Sequence, residues 1–124
     1  MLRRVGRPLF DQYELIWSYD SVGALRRVKV SLLWVLAEDD LEAPIERTRD
    51  ALLGLIDDGR PIELYMFPDT DHGMFEYETL PDGSRRGTRI TDGYLRLLAD
   101  WIRGTPQGSY GRGVRLGDET PASR

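Results

Sequence analysis

The chain contains no cysteine and a single histidine. Without cysteine there are no disulfides, no thiol nucleophile and no cysteine-ligated zinc. The compartment stays open on this ground alone, although a cytoplasmic protein has this composition. Long apolar runs are also missing. The longest is Leu32–Ala37, far short of the ~20 residues a membrane-spanning helix needs, so no membrane partner is expected. The basic start, Met1 to Pro8, leads into no apolar segment and does not read as a signal peptide. Basic residues are outnumbered: 17 Lys and Arg stand against 21 Asp and Glu, for a net charge of −4. That balance argues against nucleic acid. The pairs Arg3-Arg4, Arg26-Arg27 and Arg85-Arg86 are short, scattered and read as solvated surface. One histidine among scattered acids has no zinc-ligand spacing, and Asp69, Asp71 and His72 read as a polar loop rather than a metal set. Gly108 to Gly113 has glycines but neither the strand before nor the helix after that a phosphate loop requires. No cofactor is expected.

What remains is a chain of 124 residues, enough for one domain. Asp11 can cap a short helix before Leu15, Ile16 and Trp17, and Tyr19-Asp20-Ser21 reads as a turn before a helical piece from Val22 to Arg27. Val28–Ala37 is nearly continuous apolar sequence, which predicts a strand covered on both faces, as in a parallel sheet. Pro44 and Glu46 mark a helix start. Ile45, Thr48, Leu52, Leu55 and Ile56 form its stripe, and Asp58-Gly59 its end. Pro61–Phe67 is the next strand, which completes a βαβ unit with parallel, adjacent strands. Asp82-Gly83 is either a hairpin tip or an ordinary surface loop. Thr91 is read as the N-cap of a last helix that buries Leu95, Leu98 and Ile102, with Tyr94 and Trp101 beside them. Residues 104–124 are rich in Gly, Pro, Ser and Arg and are expected to be a disordered tail. Two doubly covered strands do not make a stable sheet alone, so either the N-terminal segment supplies further cover or the chain is part of a larger sheet, and the sheet is expected to be incomplete.

Two loops carry the chemistry. Ala37-Glu38-Asp39-Asp40-Leu41-Glu42-Ala43-Pro44 follows the first strand, and Pro68-Asp69-Thr70-Asp71-His72-Gly73-Met74 the second. An Asp in a short loop before a helix is also how ordinary βα connections are built, and Asp39 could cap in place of Asp40. His72 lies just past the C-terminal end of a buried strand, where sites in open α/β sheets form. Gly73 permits a sharp reversal after it. An imidazole there can switch between neutral base and cation near neutral pH, and an Asp on its other nitrogen fixes the tautomer.

In order, spacing and strand context, residues 20–103 resemble the C-terminal part of the α/β-hydrolase superfamily, nearest to its prolyl oligopeptidase-like and dienelactone hydrolase-like branches. The family's acid loop reads Gly-Glu-x-Asp-x-x-Val-Pro; Ala37 to Pro44 matches, with Ala37 for Gly and Ala43 for Val, and that register selects Asp40 over Asp39. A strand ending in Phe-Pro and a loop reading Gly-x-x-His-Gly-Phe follow in the family. Phe67-Pro68 and Asp69 to Met74 stand here, so His72 maps to the triad base. The helix with Trp101 fits the closing helix.

The resemblance implies a partial α/β-hydrolase domain over residues 1–103, the C-terminal βαβα portion of the fold, with Asp40 and His72 as the acid and base of a Ser-Asp-His triad. It also implies a nucleophile elbow, G-x-S-x-G, and an oxyanion hole. Neither pattern occurs: Gly83-Ser84-Arg85-Arg86-Gly87 and Gly108-Ser109-Tyr110-Gly111 both fail on spacing. In the family these parts lie upstream. The chain is therefore expected to be the last third of a serine hydrolase, whether excised, truncated or completed by another chain, and inactive alone. Its expected partners are an ester or peptide substrate in the complete enzyme, and an upstream hydrolase segment or a second copy joined through strand 28–37. The alternative is a non-catalytic binding or assembly module whose open sheet edge takes up a partner strand.

Overall fold

The computed structural model describes residues 19–104, 106 and 108–117. The helix expected near Leu15–Trp17 lies outside them. Within them the chain is mixed α/β: three helices, a three-stranded sheet and a two-stranded one.

Helix α1 is Ser21–Arg27, opened by Asp20, whose side chain accepts from the Gly23 amide. Val28 is its C-cap, so the strand expected from residue 28 is shorter than the apolar pattern. Strand β1 runs Leu32–Ala37. Helix α2, Ile45–Asp57, starts after Pro44 and ends where Gly59, at φ 85°, donates back to the Ile56 carbonyl. Strand β2, Ile62–Phe67, then pairs parallel with β1 in an unbroken register from Leu32↔Ile62 to Ala37↔Phe67. That register ends the two strands level, so their following loops leave the sheet side by side.

Alternation along the strands feeds two cores, one on each face of the sheet. Leu36, Ile62 and Leu64 pack with Leu52 and Leu55 of α2, with Val22 and Leu25 of α1 beside them. Tyr65 and Phe67 point the other way, onto Leu97 and Tyr110, with Leu33 and Val35 partly buried against them. Leu97 belongs to helix α3, Tyr94–Ile102. The run of apolar residues in β1 and β2 is thus explained by cover on both sides.

Four expectations are corrected. The last helix is capped at Gly93, not Thr91. Thr91 is buried, its hydroxyl bonded to that of Thr70 and its amide to the Met74 carbonyl. The helix is also rotated from its expected phase: Leu97 is fully buried while Leu95 and Ile102 are exposed. The tail is not disordered over residues 108–117. Tyr110 is buried between Tyr65 and α3, its hydroxyl donating to Asp100. Strand β5, Val114–Leu116, then pairs antiparallel with β2, so the sheet order is β1-β2-β5 and its strands are not all parallel. Burial of one large aromatic, worth ~2–3 kcal/mol, holds a segment whose composition alone does not ask for structure.

Between β2 and α3 the chain forms a hairpin of β3, Phe75–Thr79, and β4, Arg85–Ile90, with Asp82-Gly83 at its turn. Asp82 accepts from the amide and hydroxyl of Ser84, and Gly83 supplies φ 84°. Of the two readings of Asp82-Gly83, the hairpin tip is the one found.

Candidate active site

The level ends of β1 and β2 bring the two motif loops together. Backbone bonds fix the approach: the Glu38 amide donates to the Phe67 carbonyl at 3.0 Å and the Asp39 amide to the Thr70 carbonyl at 3.0 Å. Below the histidine loop, the buried Thr70 hydroxyl donates to the Pro68 carbonyl and meets Thr91 at 3.0 Å. The loop itself is wound around Asp71, whose carboxylate accepts from the amides of Gly73 and Phe75 at 2.9 and 3.1 Å. The positive φ of the reversal falls on Asp69 and Met74, at 50° and 62°, and not on Gly73.

Asp40 and His72 meet at the centre. Asp40 Oδ2 lies 2.8 Å from His72 Nδ1. The other oxygen, Oδ1, accepts from the amides of Glu42 and Ala43 at 2.7 and 3.0 Å. The Asp40 side chain is only 8% exposed, whereas that of His72 is 54% exposed. Burial works against the charge on Asp40. The hydrogen bond from His72 and the two amide donors outweigh it, so the carboxyl titrates below its ordinary 3.8. For His72 the bond to Asp40 and then its negative charge hold the ring proton, so the imidazole titrates above its ordinary 6.5. An ionised carboxylate only accepts, so Nδ1 carries the hydrogen and the tautomer is fixed.

The neighbouring acid has another task. Tyr77 on β3 donates its hydroxyl to Asp39 Oδ2, and Arg85 on β4 donates to the Asp39 carbonyl at 2.6 Å. Arg85 also stacks over the Tyr77 ring at 4.3 Å. The hairpin thus clamps the acid loop through Asp39 and leaves Asp40 for the histidine. Asp40 and His72, singled out by their sequence context, are brought into contact, whereas Tyr77 and Arg85 carried no such signal. No spacing rule links a hairpin to a loop some forty residues earlier. Glu42 carried none either and looks like any exposed loop acid; its Oε2 lies 3.2 Å from His72 Nε2.

Asp40 and His72 line a cleft of about 280 Å³ beside the outer edge of β1, together with Trp34, Ala43, Thr48 and Tyr94. That edge has no partner strand among the described residues. An imidazole held in this way can take a proton on Nε2 and return it, with Asp40 steadying the cation. None of the serines among the described residues is bonded to the ring. Ser31 precedes β1, at the opposite end of the sheet, and Ser84 is bonded to Asp82 at the hairpin tip. No group of three or more potential metal ligands occurs among the described residues. None of their helices is long and apolar enough to cross a membrane. No protein-family model, curated protein or solved structure matches the chain.

Proposed function

We propose that this chain is the acid–base end of a cytoplasmic serine hydrolase of the α/β-hydrolase type, acting on an ester, peptide or other acyl bond with a serine carried by another segment. The observation that carries the reading is the 2.8 Å contact of Asp40 Oδ2 with His72 Nδ1, made by two loops at the same end of adjacent parallel strands. In the assembled enzyme His72 Nε2 accepts the serine Oγ proton as Oγ attacks the acyl carbonyl. The imidazolium then protonates the leaving group as its bond to the acyl carbon breaks. Water, deprotonated by the same nitrogen, releases the acid and frees the serine. Asp40 stays ionised throughout and needs no proton of its own. The cleft beside β1 supports this reading, because a segment entering there meets both Asp40 and His72.

The test is a fluorophosphonate probe, which labels only an activated serine. The chain alone should remain unlabelled. Expressed together with the genomic sequence directly preceding it, it should form a labelled product, and His72→Ala should abolish the label. Labelling of the chain alone, lost on mutating one of its own serines, overturns the proposal.

The β1 edge, which pairs with no strand among the described residues, favours a second reading, a non-catalytic module that binds a partner by strand addition. It predicts a partner complex that forms equally well with His72→Ala and Asp40→Asn.

A further inference from the structure

His72 is held by carboxylates at both ring nitrogens: Asp40 at Nδ1, 2.8 Å, and Glu42 at Nε2, 3.2 Å. The two differ in every other respect. Asp40 is 8% exposed and fixed by two backbone amides; Glu42 is 71% exposed, and among the described residues its side chain is paired only with the ring. The Glu42 amide is itself one of the donors to Asp40. The residue that orients the acid by its backbone therefore covers the base by its side chain.

We infer that Glu42 is a gate on the base nitrogen of His72, closed in the structure described here and opened when its side chain swings into solvent. The inference rests on the hydrolase reading for its purpose, though not for its geometry. A general base must offer the Nε2 lone pair to a hydroxyl. Glu42 Oε2, 3.2 Å from Nε2, crowds the approach of that hydroxyl. Glu42 Oε2 approaches Nε2 as an ion-pair contact and not as an aligned hydrogen bond, so its negative charge favours a hydrogen on Nε2 while the gate is closed. With Nδ1 already donating to Asp40, the closed gate favours the imidazolium, which has no lone pair to offer. Opening and loss of the Nε2 proton therefore go together. Asp40 and Glu42 face the ring from the acid loop and Asp71 from its own loop; all three are acidic and favour the charged form. Asp71 Oδ1 is committed to the amides of Gly73 and Phe75. An exposed ion pair is weak enough for an arriving nucleophile to displace, and salt screens it. The device keeps the base protonated and covered until the serine-bearing segment arrives.

The chain has one histidine, so every ring signal and every histidine modification belongs to His72. Two readouts on the intact chain test the gate: ¹⁵N shifts of the ring across a pH titration, and the rate at which diethyl pyrocarbonate, which attacks a neutral ring nitrogen, modifies His72 near neutral pH. Glu42→Ala should raise the modification rate about two- to five-fold, as loss of an exposed ion pair allows, and should move the Nε2 signal while Nδ1 keeps its donor shift. Raising salt should have the same effect on the unaltered chain and little on Glu42→Ala. An unchanged rate and an unmoved Nε2 signal in Glu42→Ala overturn the gate. Glu42→Gln, which keeps length but loses charge, should also make His72 lose its proton at lower pH; failure of that shift overturns the proton linkage. Failure of the hydrolase reading shows separately, in the absence of probe labelling, and leaves these readouts untouched.

Discussion

Asp40 and His72 touch across 32 residues of sequence because Ala37 and Phe67 are paired at the ends of their strands. The contact needs no special loop. Each side chain lies a few residues past its strand, and the parallel register makes both strands stop at the same level. Asp39, one residue earlier, is turned away to Tyr77.

This pair makes stability depend on pH in a defined window. His72 titrates above 6.5 in the folded chain, so its contribution is complete below 6.5 and is lost as pH rises through the folded value. Asp40 titrates below 3.8, so its contribution is complete above 3.8 and is lost as pH falls through its folded value. The melting temperature of the unaltered chain should exceed that of His72→Ala most between pH 3.8 and 6.5. The difference should shrink on the alkaline side once the folded imidazole loses its proton. Thermal scans of both proteins across pH check this.

The Tyr77–Asp39 clamp should be measurable on its own. Tyr77→Phe removes the donor to Asp39 and keeps the ring under Arg85. The expected loss is about 1–2 kcal/mol in urea unfolding, the range for a partly exposed hydrogen bond to a charged acceptor. The phenol itself should ionise above its ordinary 10.0, because the bond to Asp39 favours the protonated form. Ultraviolet titration of the unaltered chain and the variant should show one alkaline tyrosine fewer in the latter.

How much of this was legible in the sequence depends on how local the cause is. Strand β1, helix α2 and strand β2 are written in their apolar runs and in Pro44 and Gly59, which act over a few residues. Asp40 and His72 follow from their place after those strands and from the family resemblance. Tyr110 could not be read this way. Its burial depends on a T-shaped contact with Tyr65 and on room beside Gly93, both distant in sequence. The phase of α3 failed for a similar reason. Leu95, Leu97 and Leu98 are equally apolar, and only the sheet that Leu97 meets decides among them. Thr91 looked like a cap until Thr70, 21 residues earlier, claimed its hydroxyl.

Gly93 reports on the docked tail. It sits at φ 92°, and a Cβ there would lie 2.1 Å from the Tyr110 carbonyl carbon and oxygen. Gly93→Ala should cost roughly 2–4 kcal/mol, from backbone strain and forced separation together. Amide hydrogen exchange should show lost protection over residues 110–116, with β1 and β2 less affected. An unchanged exchange pattern would mean that Tyr110 does not hold the tail to the sheet.

The central claim is that Asp40 and His72 work as one acid–base pair for a serine outside the described residues. Fluorophosphonate labelling rates of the assembled product, compared between Asp39→Asn and Asp40→Asn, test it most directly. Asp40→Asn should slow labelling by several powers of ten, up to about 10⁴-fold where the wrong tautomer is imposed. Asp39→Asn, whose side chain meets Tyr77 and not the ring, should stay within about ten-fold of the unaltered protein, the allowance for a loosened acid loop. Equal rates for the two variants, or labelling that survives His72→Ala, would contradict it.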